Sequence, residues 1–312
     1  MKKKLYILDK VHPVFYEKLG NKFEIEDDFT RNHKDIAKKI TDAYGLIIRS
    51  RLTFDRELID AAPKLRFIAR VGAGMESIDV DYAESKGIFC LNSPEGNRDA
   101  VAEHAIGMLL SLKNHLCRAD KQVKQGDWQR ELNRGTELKG KTVGIVGFGN
   151  MGSAFAERLQ GFSCRVLAYD KYKTRYAPAG ISESSMENIF READVVSLHI
   201  PLDEENKHLC NEAWFDAFDK PVLLLNTARG PVVKTDALLA AMEAGKVVAA
   251  GLDVLEYEES SFENTKKLTG IDTFNELAAR DDVIFTPHVA GWTAESKEKL
   301  AYHLIEKILR VG

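Results

Sequence analysis

The chain has 312 residues, of which 44% are hydrophobic and 29% charged, and its net charge is −4. That length suffices for two domains with a core each. The ordinary balance of apolar and charged residues argues against a disordered chain, and no apolar run approaches the length of a membrane span. The slightly acidic balance gives no reason to expect nucleic acid or an anionic membrane as a partner.

Met1-Lys2-Lys3-Lys4 is basic, but the following Leu5-Tyr6-Ile7-Leu8 is too short for a signal-peptide core and ends at Asp9. It reads as a first strand. Further strands are expected at Tyr44 to Ile48, Leu65 to Val71 and Ile88 to Leu91, with helices between them at Lys34 to Thr41 and Asp55 to Ala61. A long amphipathic helix follows from Arg98 to about Arg118, with Val101, Ala105, Met108, Leu109, Leu112 and Leu116 on one stripe. Strand and helix alternate from there on, through apolar runs at Val143 to Val146, Arg165 to Tyr169, Val222 to Leu225, Val247 to Val254 and Val283 to Thr286. Alternation of this kind predicts α/β architecture with parallel sheets covered on both faces. The polar stretch Glu259 to Asp272 is long for a connection in such a fold, which marks it as mobile or functional. The last segment, Glu295 to Leu309, is helical and is expected to return to the first domain. Cys90, Cys117, Cys164 and Cys210 lack metal or C-x-x-C spacing and read as reduced core thiols of a cytoplasmic protein, with no metal site expected.

The most specific stretch is Val143-Gly144-Ile145-Val146-Gly147-Phe148-Gly149-Asn150-Met151-Gly152. It reads as a strand, a glycine turn and the start of a helix, and Asp170 closes the next apolar run 23 positions after Gly147. This is how a chain holds a dinucleotide. Gly147 permits the tight turn, Gly149 lets backbone amides approach a pyrophosphate, and Gly152 lets the helix pack on the strand. The helix N-terminus offers unpaired donors to the phosphates, and the Asp170 carboxylate suits the ribose hydroxyls. Because the fingerprint lies in mid-chain, a doubly wound Rossmann domain (96–289) is expected to be inserted into a second doubly wound, substrate-binding domain (1–95 plus 290–312). The crossings near 93–98 and 288–294 would form a hinge, over which the two domains close on the substrate.

Seven motifs in order resemble the D-isomer-specific 2-hydroxyacid dehydrogenases over nearly the whole chain. They are Arg70-Val71-Gly72-Ala73-Gly74 with Ile78-Asp79; Asn92-Ser93-Pro94 with Asn97 and Val101-Ala102-Glu103; the Gly147 fingerprint; Ala193 to Leu202; Asn226-Thr227-Ala228-Arg229-Gly230; Gly251-Leu252-Asp253-Val254 with Glu258; and Thr286-Pro287-His288-Val289-Ala290-Gly291. The resemblance implies hydride transfer between NAD and a small 2-hydroxy or 2-keto acid. Such chemistry needs a cation for the substrate carboxylate, an acid–base group for the hydroxyl proton, and something to tune that group. Arg229 follows a strand and its planar fork suits a carboxylate. His288 is pinned by Pro287, and Glu258 lies in the loop after Asp253. By the resemblance His288 is the acid–base and Glu258, five residues after Asp253, its hydrogen-bond partner, which would favour the charged imidazolium. Read singly, Arg229 is also a plausible surface arginine, His288 a turn histidine, and Glu258 one of an acidic run. The family usually has a proline just after this glutamate; here Glu259 follows.

The resemblance also implies that Gly72, Ala73, Gly74 and Asn97 bind substrate, and that His199, Pro201, Thr227, Ala228 and Asp253 line the cofactor, with Asp253 on the nicotinamide amide. Asp170 argues for NAD over NADP, since its charge would repel a 2′-phosphate, although Lys171, Lys173 and Arg175 follow it. Arg49-Ser50-Arg51 is the substrate clue. D-3-phosphoglycerate dehydrogenases carry a similar triplet whose arginines hold the substrate phosphate, so 3-phosphoglycerate is the first expectation and glyoxylate or hydroxypyruvate the alternative. No C-terminal regulatory domain, and hence no serine feedback, is expected. Trp292 either walls the pocket or packs between domains. A non-catalytic NAD-sensing role is the distant alternative, disfavoured because Arg229, Glu258 and His288 are all present. The region around the helix from Arg98 and Asp127 to Gly140 resembles the family's dimer-forming region, so a homodimer is expected.

Overall fold

The structure is a computed structural model that describes residues 2–258 and 268–312. Most of the polar stretch 259–272 therefore lies outside the described residues; at its end, Asp272 opens the helix Asp272–Ala278. The chain divides into two compact units, residues 2–98 with 292–312 and residues 99–258 with 268–291.

The first unit is built on a five-stranded parallel sheet. Its strands are β1 (Lys3–Ile7), β2 (Phe23–Asp27), β3 (Gly45–Ile48), β4 (Phe67–Arg70) and β5 (Phe89–Leu91), in the order β2-β1-β3-β4-β5. Alternate residues of the central strands feed two cores, as the period of two along a strand requires. Tyr6, Leu46, Ile48 and Ile68 pack with Ile36, Leu58 and Ile59 on one face. Leu5, Ile7, Ile47 and Phe67 pack with Phe15, Leu304, Ile305 and Ile308 on the other. The C-terminal helix Ala294–Val311 thus belongs to this unit; a reciprocal Thr293–Ser296 capping box starts it.

The second unit carries a seven-stranded parallel sheet. Its strands are β6 (Thr142–Val146), β7 (Arg165–Tyr169), β8 (Ile181–Glu183), β9 (Val195–Leu198), β10 (Val222–Asn226), β11 (Val247–Leu252) and β12 (Val283–Phe285), in the order β12-β11-β10-β9-β6-β7-β8. The helix Arg98–Lys113 covers one face, setting Ala105, Met108, Leu109 and Leu112 against Val143, Ile145, Leu223 and Leu225. The helices Glu212–Asp216 and Thr235–Glu243 cover the other. Both units are doubly wound α/β, and the second is a Rossmann domain. Among the described residues no helix is long and apolar enough to cross a membrane.

The helix from Arg98 does not run to Arg118. It stops at Lys113, His115 turns left-handed (φ 52°), and a separate helix Leu116–Lys124 begins. The buried stripe ends at Leu112, and Leu116 is 53% exposed. Strands β2 and β8 carry no continuous apolar strand signal in the sequence. Both are sheet edges, and their half-exposed, charged sequences (FEIED and ISE) lack the apolar run that marks a central strand. Of the cysteines only Cys210 is a core thiol; Cys90 and Cys164 are half-buried and Cys117 is exposed.

Candidate active site

In the seven-stranded sheet the chain winds outward through β6, β7 and β8, then returns to pair β9 with β6 and proceeds the other way. The carboxyl ends of β6 and β9 therefore flank a topological switch point, where open α/β sheets bind ligands. The glycine turn lies there. Gly147 has φ 93°, and a Cβ on it would stand 2.5 Å from the His199 carbonyl oxygen. A Cβ on Gly152 would stand 2.0 Å from the Gly147 oxygen, whereas Gly149 faces open space. Gly149 is the N-cap of the helix Asn150–Leu159, which has no side-chain cap and no acid in its first turn. The first amides of that helix are thus left for an anion. The Asp170 carboxylate, at the end of β7, accepts from the amides of Phe148 (2.9 Å) and Tyr172 (3.0 Å). Lys173 reaches back to the Phe148 carbonyl at 2.7 Å, so it braces the glycine turn.

Phe148 itself is buried against Tyr176 and shapes the turn from beneath. Asn150 and Met151 open the helix, and Pro201 lies exposed just beyond β9. The Thr227 hydroxyl is buried with no partner among the described residues. The His199 ring sits between Ser197 Oγ (2.9 Å) and the Phe155 ring, and burial pushes its pKa down to about 3. Its buried Nδ1 has no partner among the described residues. A glycine cradle, an uncapped helix start, a carboxylate at the ribose position and an orphan hydroxyl suit a dinucleotide.

The next three strands deliver the candidate catalytic side chains Arg229, Glu258 and His288 at their carboxyl ends. After β10, Asn226 clamps the Thr227-Ala228-Arg229 turn: its Oδ1 accepts from the Ala228 amide at 3.0 Å and its Nδ2 donates to the Arg229 carbonyl at 3.0 Å. Gly230 lets this turn lie directly on the loop after β11, since a Cβ there would fall 1.8 Å from the Leu255 oxygen. That loop carries Glu258. One Glu258 oxygen accepts from the Leu255 amide, and the other lies 2.7 Å from His288 Nδ1. His288 follows β12 with φ 54°, a costly conformation for a non-glycine residue that must be held by its surroundings. The holder is Asp253. Its carbonyl accepts from the His288 amide at 2.7 Å, and its carboxylate, 1% exposed, accepts from Thr286 Oγ1 (2.6 Å) and the amides of Val289 and Ala290 (both 2.9 Å). The Asp253 carboxylate thus accepts three bonds from the turn that presents His288, only one of them on Oδ2, which keeps acceptor capacity for the nicotinamide amide.

In the first unit Gly72-Ala73-Gly74 is pinned to the segment after β5, where Asn92 Nδ2 donates to the Ala73 carbonyl (2.6 Å) and the Ser93 amide to that of Gly72 (2.9 Å). Asn97 Oδ1 is buried without a partner among the described residues. The order β2-β1-β3 puts a second switch point between β1 and β3, and Asp9 and the Arg49-Ser50-Arg51 triplet stand there. The two arginines differ. Arg51 lies in a cage of carbonyls, giving Nη2 to Leu8 (2.6 Å) and Asp28 (3.1 Å), Nη1 to Arg31 (2.6 Å), and Nε to Leu8, with Asp9 at 3.4 Å. Arg49 instead lays its guanidinium over the Trp292 ring, 4.8 Å from the centroid. Trp292 is 68% exposed.

Residues 106–290 match the family described as D-isomer specific 2-hydroxyacid dehydrogenase, NAD binding domain. The hydroxypyruvate reductase of Thermotoga maritima is 35% identical over 308 residues, covering 98% of this chain and 97% of that one. The D-3-phosphoglycerate dehydrogenase of Archaeoglobus fulgidus is 33% identical over 94% of this chain, which spans only 54% of that enzyme. Among solved structures, a D-lactate dehydrogenase from Aquifex aeolicus complexed with NAD and lactic acid is 31% identical and covers 98% of this chain and 94% of its own, with a TM-score of 0.84. The chain belongs to the D-isomer-specific 2-hydroxyacid dehydrogenases, oxidoreductases that use NAD.

A further residue, absent from the motifs, lies beside the His288 turn. His104, in the helix Arg98–Lys113, places Nε2 3.0 Å from Thr286 Oγ1. Its only sequence signal is a polar residue one turn beyond Val101, at the margin of the apolar stripe.

Proposed function

We propose that this enzyme reduces a small unphosphorylated 2-keto acid of the hydroxypyruvate or glyoxylate type, with NADH, to the corresponding 2-hydroxy acid, the D enantiomer where C2 becomes a stereocentre. The observation that carries this is the state of Arg51. A phosphate site needs a guanidinium with donors to spare, and those of Arg51 are engaged by the Leu8, Asp28 and Arg31 carbonyls and Asp9. Removing them from the part-buried carbonyls of Leu8 and Asp28 to serve a substrate would leave those carbonyls unsatisfied. The relative named hydroxypyruvate reductase, matched from end to end, supports the same reading.

In this mechanism the bound cofactor supplies the hydride for C2. Arg229 holds the substrate carboxylate and polarises the C2 oxygen. His288 gives that oxygen its proton from Nε2, since Nδ1 faces Glu258. Glu258 fixes the tautomer and ring orientation. Gly147, Gly149, Gly152 and Asp170 hold the pyrophosphate and ribose. A cytoplasmic location accords with the free thiols of Cys90, Cys117, Cys164 and Cys210.

A second reading, 3-phosphohydroxypyruvate and a place in serine biosynthesis, rests on Arg49, whose guanidinium has no ion-pair partner among the described residues and lies on an exposed tryptophan. NADH oxidation against hydroxypyruvate, glyoxylate, pyruvate, 2-oxoglutarate and 3-phosphohydroxypyruvate decides between them. Hydroxypyruvate or glyoxylate should lead in kcat/KM, and Arg51→Ala should lower Tm without changing the order, with a loss of about 2 kcal/mol. A phosphorylated substrate preferred at least ~10-fold, with the preference lost in Arg49→Ala, would establish the second reading. His288→Ala should abolish turnover while NADH still binds; turnover near the parent rate would remove the acid–base assignment.

A further inference from the structure

Behind the His288 turn stands a chain of polar groups that ends on the helix Arg98–Lys113. Thr286 has one hydroxyl proton, and it goes to Asp253 Oδ1 at 2.6 Å. His104 Nε2 lies 3.0 Å from the same hydroxyl oxygen and 3.6 Å from Asp253 Oδ1. With the threonine proton committed to Asp253, the His104–Thr286 contact is a hydrogen bond only if Nε2 carries the proton and donates it. Asp253 in turn receives the amides of Val289 and Ala290 on its carboxylate and that of His288 on its carbonyl. The turn is therefore gripped on both sides of the left-handed His288, and the grip is completed by a side chain from another element.

We propose that His104 is a positioning residue for His288. Its Nε2–H bond fixes the Thr286 hydroxyl so that the only proton there points at Asp253. This keeps all three donors on the nearly inaccessible carboxylate and holds the turn in which His288 keeps its backbone angle and its contact with Glu258. Without that donor the hydroxyl is free to rotate, Asp253 loses one of its three partners, and the strained backbone at His288 loses part of what holds it. His104 acts through Thr286 and Asp253 and not on the reacting atoms. The inference rests on the acid–base reading of His288.

A residue that only fills space is replaceable by leucine, whereas one that matters as a donor is rescued by a side chain returning an N–H at similar reach. The full-length variants His104→Leu, His104→Gln, Thr286→Val and Thr286→Ser would be compared using the 2-keto acid that the parent turns over fastest. The measurements are kcat, KM, the NADH Kd from fluorescence, and Tm. We expect His104→Leu to lower kcat about 10-fold or more, by the logic that small misplacements of catalytic groups are costly, with KM and the NADH Kd near the parent. His104→Gln should recover most of the rate. Adding Thr286→Val to His104→Leu should cost little beyond the worse single change, because both break one chain.

A kcat for His104→Leu within about twofold of the parent, glutamine no better than leucine, or a loss confined to NADH affinity would overturn the proposal. If His104→Leu does not fold, the threonine pair carries the test. Thr286→Ser should retain kcat and Thr286→Val lose it, and equal rates would overturn the inference. Should His288→Ala keep turnover, the acid–base reading fails and this inference with it. If His288→Ala is inactive while His104→Leu matches the parent, only the inference falls.

Discussion

Arg51 and His199 show how strongly a side chain's role depends on what surrounds it. An arginine has five donors in a fixed fork, and whether these serve a substrate or the fold depends on what is near. Around Arg51 are the carbonyls of Leu8, Asp28 and Arg31, so the guanidinium ties the end of β1 to the segment after β2. His199 is the reverse case, a titratable ring enclosed until its charged form is disfavoured. Its pKa of about 3, set by burial, lies below the ordinary value of 6.5. Between those two values the unfolded chain binds a proton that the folded chain does not, so stability rises with pH across that window and falls on acidification from about 6.5 towards 3. In urea melts across this range His199→Gln should show a shallower loss of stability than the parent; an identical pH dependence would mean that the ring titrates freely in the folded state.

At the scale of elements, the site is a consequence of three neighbouring parallel strands ending side by side. β10, β11 and β12 are adjacent, and the turns after them carry Arg229, Glu258 and His288. The closeness of the first two turns depends on Gly230, because backbone atoms of Leu255 and Glu256 occupy the space a Cβ would need. Those atoms cannot yield as a flexible side chain would. Gly230→Ala should therefore displace the Arg229 turn from the Glu258 loop and lower kcat/KM by roughly 100-fold while NADH binding persists. An alanine variant with parental kcat/KM would show that the contact is not needed for catalysis. The motif spacing around Asn226 and Asp253 was legible in the sequence, but the contact between the turns was not, because it joins residues related only through strand pairing.

For the whole molecule, the break at His115 matters most. It separates the buried helix Arg98–Lys113 from the helix Leu116–Lys124, none of whose residues is buried. Leu116, Val123, Trp128 and Leu132 are each more than half exposed, in one stretch of chain. Four large apolar side chains exposed within 17 residues of chain favour association over solvation. We propose that it meets its own copy in a twofold homodimer. Light scattering after size exclusion should give twice the chain mass at micromolar concentration, with Trp128→Glu shifting the protein towards monomer. A monomer for the parent protein would sink the proposal.

Periodicity and local backbone demands are written into the chain itself. Apolar runs with turn residues between them specified parallel α/β architecture. The Gly147-x-Gly149-x-x-Gly152 spacing, with Asp170 after the next strand, specified a dinucleotide cradle, because backbone approaches that leave no room for a Cβ, at Gly147 and Gly152, are requirements that only glycine meets. The tertiary structure decided where polar groups find their partners. Arg51 is satisfied by residues 20 to 43 positions away, Asp253 by residues 33 to 37 positions away, and His104 by one 182 positions away. Hydrogen bonding of buried groups is a long-range accounting problem, and no local pattern reveals which carbonyl, hydroxyl or amide will arrive beside a given side chain.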